Sequence, residues 1–146
     1  MIARIEISVD ELFAQVIDQT LFDYKNNPDN GAVLAENMAL SKNERDIFNI
    51  NLRTAIDNIY SGMAAQINGF EYNGYRICAE ININGNVSPD VVASRFKDLL
   101  KYAMLRWWHS TKSQSLADKY AADYDNLFSN LKTQLIGVVR KPYILY

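Results

Sequence analysis

The spacing of the apolar residues constrains the fold of this 146-residue chain more than any other feature. In four segments the apolar residues recur every three or four positions, which is the period of a helix that buries one face. In residues 75–83 they alternate with polar residues, which is the period of a half-buried strand. The pattern therefore predicts one α+β domain that is mainly helical.

Capping residues indicate where the helices begin. Ser8 with Glu11, and Ser41 with Glu44, have the spacing of a capping box, in which each side chain bonds the backbone amide of the other residue. Pro89, directly after a serine, suits the first turn of a third helix. The predicted helices cover residues 9–25, 42–67, 89–110 and 115–138.

A β-hairpin is predicted at residues 70–84, because Asn73-Gly74 is the strongest two-residue hairpin signal. Residues 2–7 alternate weakly and predict either a short strand or an ordered arm. Pro142 ends the helical options, so residues 140–146 are expected to form an extended tail. The full expectation is a four-helix antiparallel bundle-like domain, with a short hairpin before the third helix and an extended C-terminal tail.

The charge balance limits the kinds of partner that the chain can have. It carries 15 basic and 17 acidic residues, a net charge of −2, whereas proteins that grip duplex DNA with a whole surface are strongly basic. The sequence shows no signal peptide and no apolar run long enough to cross a bilayer. We therefore expect synthesis in the cytoplasm, no membrane partner, and only local or passive contact with nucleic acid.

The residues that usually carry catalysis or bind metals are not arranged for either. His109 is the single histidine and is predicted at a helix end, where an imidazolium suits the dipole, whereas Cys78 is the single cysteine and lies mid-strand. Asp118, Asp123 and Asp125 are expected to point outward from the last helix. We expect no catalytic residues, no cofactor and no metal.

Several aromatic and apolar residues are candidates for contacts with other proteins. Adjacent helical residues point about 100° apart, so Trp107 and Trp108 cannot enter the same buried row. We assign Trp107 to the core and leave Trp108 to either a subunit interface or cover within the chain. The tail is expected either to fold back over the domain or to add an extended segment to a neighbour. The candidate interface residues are Trp108, Tyr143, Ile144, Leu145, Tyr146, Tyr72 and Tyr75.

Four basic residues on the third helix form a candidate basic face. They are Arg95, Lys97, Lys101 and Arg106. Such a set is most often an ordinary solvated surface, and the alternative is contact with an acidic partner or a DNA backbone.

The order of these features resembles a family of phage proteins. An early Ser-Val-Asp-Glu-Leu helix at residues 8–12, an aromatic Leu-Arg-Trp-Trp run at 105–108, a Leu-Ala-Asp-Lys-Tyr segment at 116–120 and a basic-Pro-Tyr tail follow one another. Together they resemble head–tail connector (neck, or adaptor) proteins of tailed phages that infect gut Bacteroidales. The resemblance covers most of the chain and depends on patterning and element order.

The resemblance implies a structural and non-catalytic function. A connector protein of this kind would form a ring between portal and tail, with other copies of itself, the portal and other neck or tail proteins as partners. DNA would pass through the ring without being gripped, and the protein would be found at the head–tail junction of the virion. The alternative is a small cytoplasmic helical adaptor or regulatory protein that binds one protein partner.

Overall fold

The computed structural model describes residues 2–26, 38–83 and 87–136. In chain order the strands and helices are β1 (Ile2–Ser8), α1 (Val9–Lys25), α2 (Arg45–Gly62), β2 (Ile67–Tyr72), β3 (Arg76–Asn82), α3 (Pro89–His109) and α4 (Gln114–Ile136). A single 3₁₀ turn, Lys42–Glu44, precedes α2. The predicted class, α+β with a mainly helical content, is confirmed.

The three strands form one antiparallel sheet in the order β1-β3-β2. Ala79 of the central strand lies between Ile5 of β1 and Phe70 of β2. One face of the sheet is buried, with α3 against β1 and α2 against β2, while Arg4 and Glu80 lie exposed on the other face. Residues 2–7, for which either a short strand or an ordered arm was predicted, therefore belong to a strand. The hairpin of β2 and β3 is part of a three-stranded sheet.

The turn between β2 and β3 depends on Asn73 and Gly74. Gly74 has a φ of +90°, a conformation that other residues rarely adopt. The Asn73 side-chain oxygen accepts hydrogen bonds from the amides of Tyr75 and Arg76, at 3.0 and 2.9 Å. Tyr75 was predicted as the first buried residue of the strand, and this is wrong: it is 72 % exposed because the turn includes it and β3 begins one residue later.

The predicted capping boxes correspond to helix starts. Ser8 Oγ accepts from the Glu11 amide at 3.4 Å, and α1 has the predicted bounds. The Ser41 amide donates to Glu44 Oε1 at 3.2 Å, within the 3₁₀ turn that leads into α2.

Helix α2 ends five residues earlier than predicted, at Gly62 instead of residue 67. Ile67, assigned to the helical row from its spacing, is instead the first residue of β2, where it is buried and pairs with Ile81. The pairing of Ile67 with β3 prevents α2 from continuing to this residue. The spacing of apolar residues does not show that a strand distant in sequence competes with the helix. At its end α2 approaches α4 so closely that a side chain at Gly62 would collide with the Phe128 ring.

Helix α3 lies at the centre of the fold and contacts α1, α2, α4 and β1. It is buried on more than one side, so its covered residues exceed the single row that the sequence predicted. They are Val92, Phe96, Leu99, Leu100, Met104, Leu105, Trp108 and His109. Trp107, which was predicted to be buried, is only partly covered.

Replacing Leu99 with alanine tests the central position of α3. Leu99 is fully buried, so Leu99→Ala should lower the free energy of unfolding by about 2–5 kcal/mol through lost burial and a residual cavity. Urea denaturation followed by circular dichroism measures this change. Val91→Ala on the same helix is the matched control, since Val91 is 43 % exposed and its replacement should cost less than about 0.5 kcal/mol. Equal losses in the two variants would contradict the assigned core.

Candidate functional site

A buried polar network lies where the end of α3 meets α1 and α4. It consists of Asp23 and Tyr24 from α1, His109 from α3, and Tyr120 from α4. His109 and Tyr24 are fully buried, Tyr120 is 3 % exposed and Asp23 is 9 % exposed. The network therefore joins three helices through side chains that are distant in sequence.

Hydrogen bonds connect every member of the polar network. Asp23 Oδ2 lies 3.1 Å from His109 Nε2 and accepts from the Tyr120 hydroxyl at 2.5 Å, while Oδ1 accepts from Gln19 Nε2 at 2.9 Å. Tyr24 Oη lies 2.7 Å from His109 Nδ1. Because an ionised carboxylate only accepts, Nε2 carries the proton toward Asp23; in the neutral ring Nδ1 then accepts from the Tyr24 hydroxyl. This arrangement satisfies every polar atom of the imidazole.

Burial and hydrogen bonding act in opposite directions on the Asp23 carboxyl group. Burial favours the neutral acid, but hydrogen bonds from His109, Tyr120 and Gln19 outweigh it and hold the pKa of Asp23 below its usual value. Burial, reinforced by the nearby Asp23 charge, raises the pKa of Tyr24 to about 12. Burial and the bond to Asp23 also raise the pKa of Tyr120. The network therefore contains an ionised aspartate and two neutral tyrosines at neutral pH.

The polar network has the residue types of a proton relay, and all its members are buried. General acid–base catalysis needs a group within hydrogen-bond reach of a substrate. Five cavities formed by the described residues are lined by other side chains. The His109 ring also stacks on Tyr120, with centroids 5.5 Å apart and planes 10° apart. The geometry supports a role in fixing the three helices relative to one another.

His109 therefore differs from its prediction as a helix-end imidazole facing the dipole. It lies at the predicted helix end, but its polar partners are side chains of two other helices.

Trp108 is covered within the chain, which was one of its two predicted alternatives. Its exposed fraction is 7 %, its indole Nε1–H donates to the Met38 carbonyl at 2.8 Å, and Lys112 Nζ lies 3.7 Å from the ring centroid. With its polar atom and one ring face already occupied, Trp108 is not available for the predicted subunit interface.

The other interface candidates differ in exposure. Tyr72 is half-buried: its hydroxyl lies 3.4 Å from the Asn49 carbonyl, and the Arg53 guanidinium lies 5.7 Å from its ring centroid. Tyr75 is exposed in the hairpin turn. Tyr143, Ile144, Leu145 and Tyr146 lie outside the described residues.

The four basic residues of α3 do not form one face. Lys97 Nζ lies 3.4 Å from Glu11 Oε2 of α1, whereas Arg95 lies beside Leu127 of α4 and Arg106 lies in the cleft between α2 and α4. Lys101 is half-buried on α3. Arg95 and Lys97 lie on different sides of α3 because residues two positions apart on a helix point about 200° apart.

The remaining reactive residues lie apart from the polar network. Cys78 is half-exposed on the open sheet face, with Sγ 3.8 Å from Glu6 Oε1. Asp118 and Asp125 are exposed, as predicted, and Asp123 is half-buried.

Within residues 2–26, 38–83 and 87–136, no group of three histidine, cysteine or acidic side chains could hold a metal ion. In the same ranges, no helix combines the length and apolar character needed to cross a membrane.

A surface groove with a mainly apolar lining, here called the α2–α4 groove, lies between α2 and α4 and has a volume of about 380 Å³. Met104 and Trp107 of α3 form its floor, and Ala55 of α2 and Tyr124 of α4 contribute to its walls. Burial raises the pKa of Tyr124, an effect that Asp125 strengthens and Arg106 weakens. An apolar groove of this kind is better suited to binding an apolar segment of a protein than to catalysing a reaction.

Comparisons of the chain with protein-family models, with curated proteins and with solved structures gave no match.

Asp23 was missed at the sequence level, although a signal for it exists. It stands seven residues after Val16 and three after Thr20, so it continues the buried row of α1. An acidic residue in such a row needs a partner, because an unpaired buried charge is strongly unfavourable. Sequence spacing does not show that this partner is His109, 86 residues further along.

Acidification tests the assigned charge of Asp23. Since its folded pKa is lowered, the ionised group stabilises the fold above the ordinary aspartate pKa of about 3.9, and this stabilisation is lost as pH falls through the lower folded value. Asp23→Asn should therefore be less stable than the wild type at pH 7, and the difference in free energy of unfolding should shrink toward pH 2. Urea denaturation at several pH values measures both quantities.

Asp125→Asn is the control, because Asp125 is exposed and its loss should leave stability close to the wild type at every pH. A difference between wild type and Asp23→Asn that is constant from pH 7 to pH 2 would contradict the assignment.

Proposed function

We propose that this chain is a non-catalytic structural subunit that assembles into a ring, as in the head–tail connector of a tailed phage. The observation that carries the proposal is the three-stranded sheet, in which β1 and β2 each pair only with β3 among the described residues. Each outer strand presents a row of backbone groups that can pair with another strand. The two edges differ, and a ring needs two different surfaces on each subunit.

The two edges also differ in regularity. β1 pairs with β3 over seven consecutive residues, from Ile2 to Ser8, whereas the pairing of β2 is interrupted between Ile67 and Gly69. Pairing of the β2 edge of one subunit with the β1 edge of the next would be heterologous and would continue around a closed ring. The exposed Tyr75, in the turn between β2 and β3, adds an aromatic contact beside this junction.

The charge distribution agrees with a ring through which DNA slides. The net charge is −2, and the basic residues of α3 point to different sides of the domain. A ring of such subunits would present no continuous basic surface to a DNA backbone, and phosphate affinity requires one. In this proposal the partners are further copies of the chain, the portal and other neck or tail proteins, and the location is the head–tail junction.

A helical adaptor that binds one protein partner is the second candidate, and the α2–α4 groove favours it. The groove offers an apolar site on the helical side of the domain, where an amphipathic segment could bind. A connector protein would be found in phage particles, whereas an adaptor would be found free in the infected cell.

Counting the protein in purified phage particles tests the proposed function. Quantitative mass spectrometry against the major capsid protein and the portal should give a copy number close to that of the portal. Absence from particles, with the protein free in the infected cell, would overturn the connector proposal and leave the adaptor.

Replacing Tyr75 tests the proposed contact beside the sheet edge. Tyr75→Ser should weaken self-association by ~10-fold or more, the loss expected for an interface aromatic, while stability stays within about 0.5 kcal/mol. Sedimentation velocity over a concentration series measures the association. Phe22→Ser, on an α1 residue that is 61 % exposed, is the matched control and should leave association unchanged. Loss of association in both variants would indicate a general effect of removing surface aromatics.

A further inference from the structure

We infer that β2 of one subunit pairs in parallel with β1 of the next, with Gly69 opposite Ile2 and Glu71 opposite Arg4. This pairing rests on the proposed assembly into a ring, and it specifies the direction and the register in which two copies of the chain meet.

The backbone groups on the outer edge of β1 include those of Arg4 and Glu6. The Val9 amide donates to the Tyr75 carbonyl at 3.0 Å, in the register that continues β1 along β3. Backbone groups of successive strand residues point to opposite sides, so every second residue back from Val9 faces β3. The groups of Arg4 and Glu6 therefore face outward, and the side chains of both residues are exposed on the open face of the sheet.

On the outer edge of β2 the corresponding groups belong to Phe70 and Tyr72. The Asn73 amide donates to the Arg76 carbonyl at 3.4 Å. The groups of Glu71, two residues earlier, therefore also face β3, and those of Phe70 and Tyr72 face outward. The side chains of Phe70 and Tyr72 pack against the core, on the covered face. Outward backbone groups thus accompany open-face side chains on β1 and covered-face side chains on β2.

This difference between the edges determines the direction of pairing. In an antiparallel pair, residues with facing backbone groups lie opposite each other and share a side-chain face, so Arg4 would share a face with Phe70 of its neighbour. The helices of adjacent subunits would then lie on opposite sides of the joined sheet. In a parallel pair, a residue whose groups face the partner lies opposite one whose groups point away, so Phe70 lies opposite a core-facing residue of β1. Parallel pairing therefore keeps all helices on one side.

Ring symmetry gives the same direction. Within one domain β1 and β2 are both antiparallel to β3, so they run parallel to each other. Rotation about the axis of a ring preserves the direction of strands that run along that axis. β2 of one subunit therefore meets β1 of the next in parallel.

Side chains on the open face select the register. Ile2 is 62 % exposed, whereas Gly69 lines a hollow of about 230 Å³ in which an added Cβ would meet nothing within 4 Å. Placing Ile2 of the next subunit opposite Gly69 fills this space and covers the isoleucine. The same register places Glu71 opposite Arg4 of the next subunit, which pairs opposite charges. A shift of two residues would bring Glu71 opposite Glu6 and place two carboxylates together.

Aromatic side chains on the covered face flank the same edge of β2. Phe70 and Tyr72 are only partly buried, and Phe70 lies beside Tyr60, which is 39 % exposed, with ring centroids 6.0 Å apart. In the inferred register Phe70 and Tyr72 lie opposite core-facing apolar residues of β1, so the apolar layer continues across the junction. Aromatic residues covered in this way are a common source of association energy.

Disulfide trapping in the full-length chain tests the register. In a Cys78→Ser background, Gly69→Cys combined with Ile2→Cys places thiols on opposite edges of each subunit. Neighbouring strands lie about 4.8 Å apart, within the limit of about 7 Å between Cα atoms for a disulfide, so adjacent subunits should link. Within one chain the two Cα atoms lie roughly 12 Å apart across β3, which is too far for a bond. Oxidised glutathione should give a ladder of dimers, trimers and larger species on a non-reducing gel.

Gly69→Cys combined with Glu6→Cys is the matched control. Glu80 lies between Gly69 and Arg4 in the sheet. The β1 positions of the test and control pairs flank Arg4, so they are equally distant from Gly69 within one chain. Only the test pair is opposed across the inferred junction, so it should link at least ~10-fold faster. Equal rates, faster linking of the control pair, or no linking of either pair would overturn the inference.

Charge reversal gives a second measurement of the register. Arg4→Glu and Glu71→Arg should each weaken self-association by ~10-fold or more in sedimentation velocity, because each places like charges opposite each other. The double variant restores an opposite pair and should associate within about threefold of the wild type. A double variant as weak as the single variants would contradict the register.

The outcomes distinguish the register from the proposed function. Self-association with no preference for the test pair would overturn the register and leave the ring. Absence of the protein from phage particles would overturn the connector function, whereas a ladder from the test pair would still support the strand contact.

Discussion

The burial of α3 on more than one side is the constraint on which the rest of this structure depends. The sheet, α1, α2 and α4 all lie against this helix, so none of them has a complete hydrophobic core without it. The sheet alone, with three short strands and one covered face, would be marginal. α3 is therefore the element whose loss would expose apolar surface on every neighbour.

His109, the last residue of α3, is a polar side chain in a buried position, and the polar network provides its partners. His109 occupies a position with no exposure, where an unpaired imidazole would be costly, and Asp23, Tyr24 and their neighbours satisfy its nitrogens. The fully connected network also defines how α1, α3 and α4 meet, because a shift of any helix would leave a buried polar atom without a partner. The hydrogen bonds of the polar network thus join α1, α3 and α4.

The sheet edges and the α2–α4 groove offer different kinds of contact. The edges of the sheet offer backbone hydrogen-bonding groups, which suit strand pairing between subunits. The α2–α4 groove offers apolar side chains, which suit a short apolar segment.

The sequence by itself determined the local features: the bounds of α1, the start of α3 at Pro89, and the turn at Asn73-Gly74. Each follows from contacts within a few residues of the chain, which is why capping and spacing predicted them. The tertiary structure decided the end of α2, where Ile67 pairs with Ile81 in the sheet, and the burial of Trp108. It also decided the polar network, since His109 meets Asp23 across 86 residues of sequence. No local rule encodes such a pairing, because its free energy comes from groups that meet only once the helices have packed.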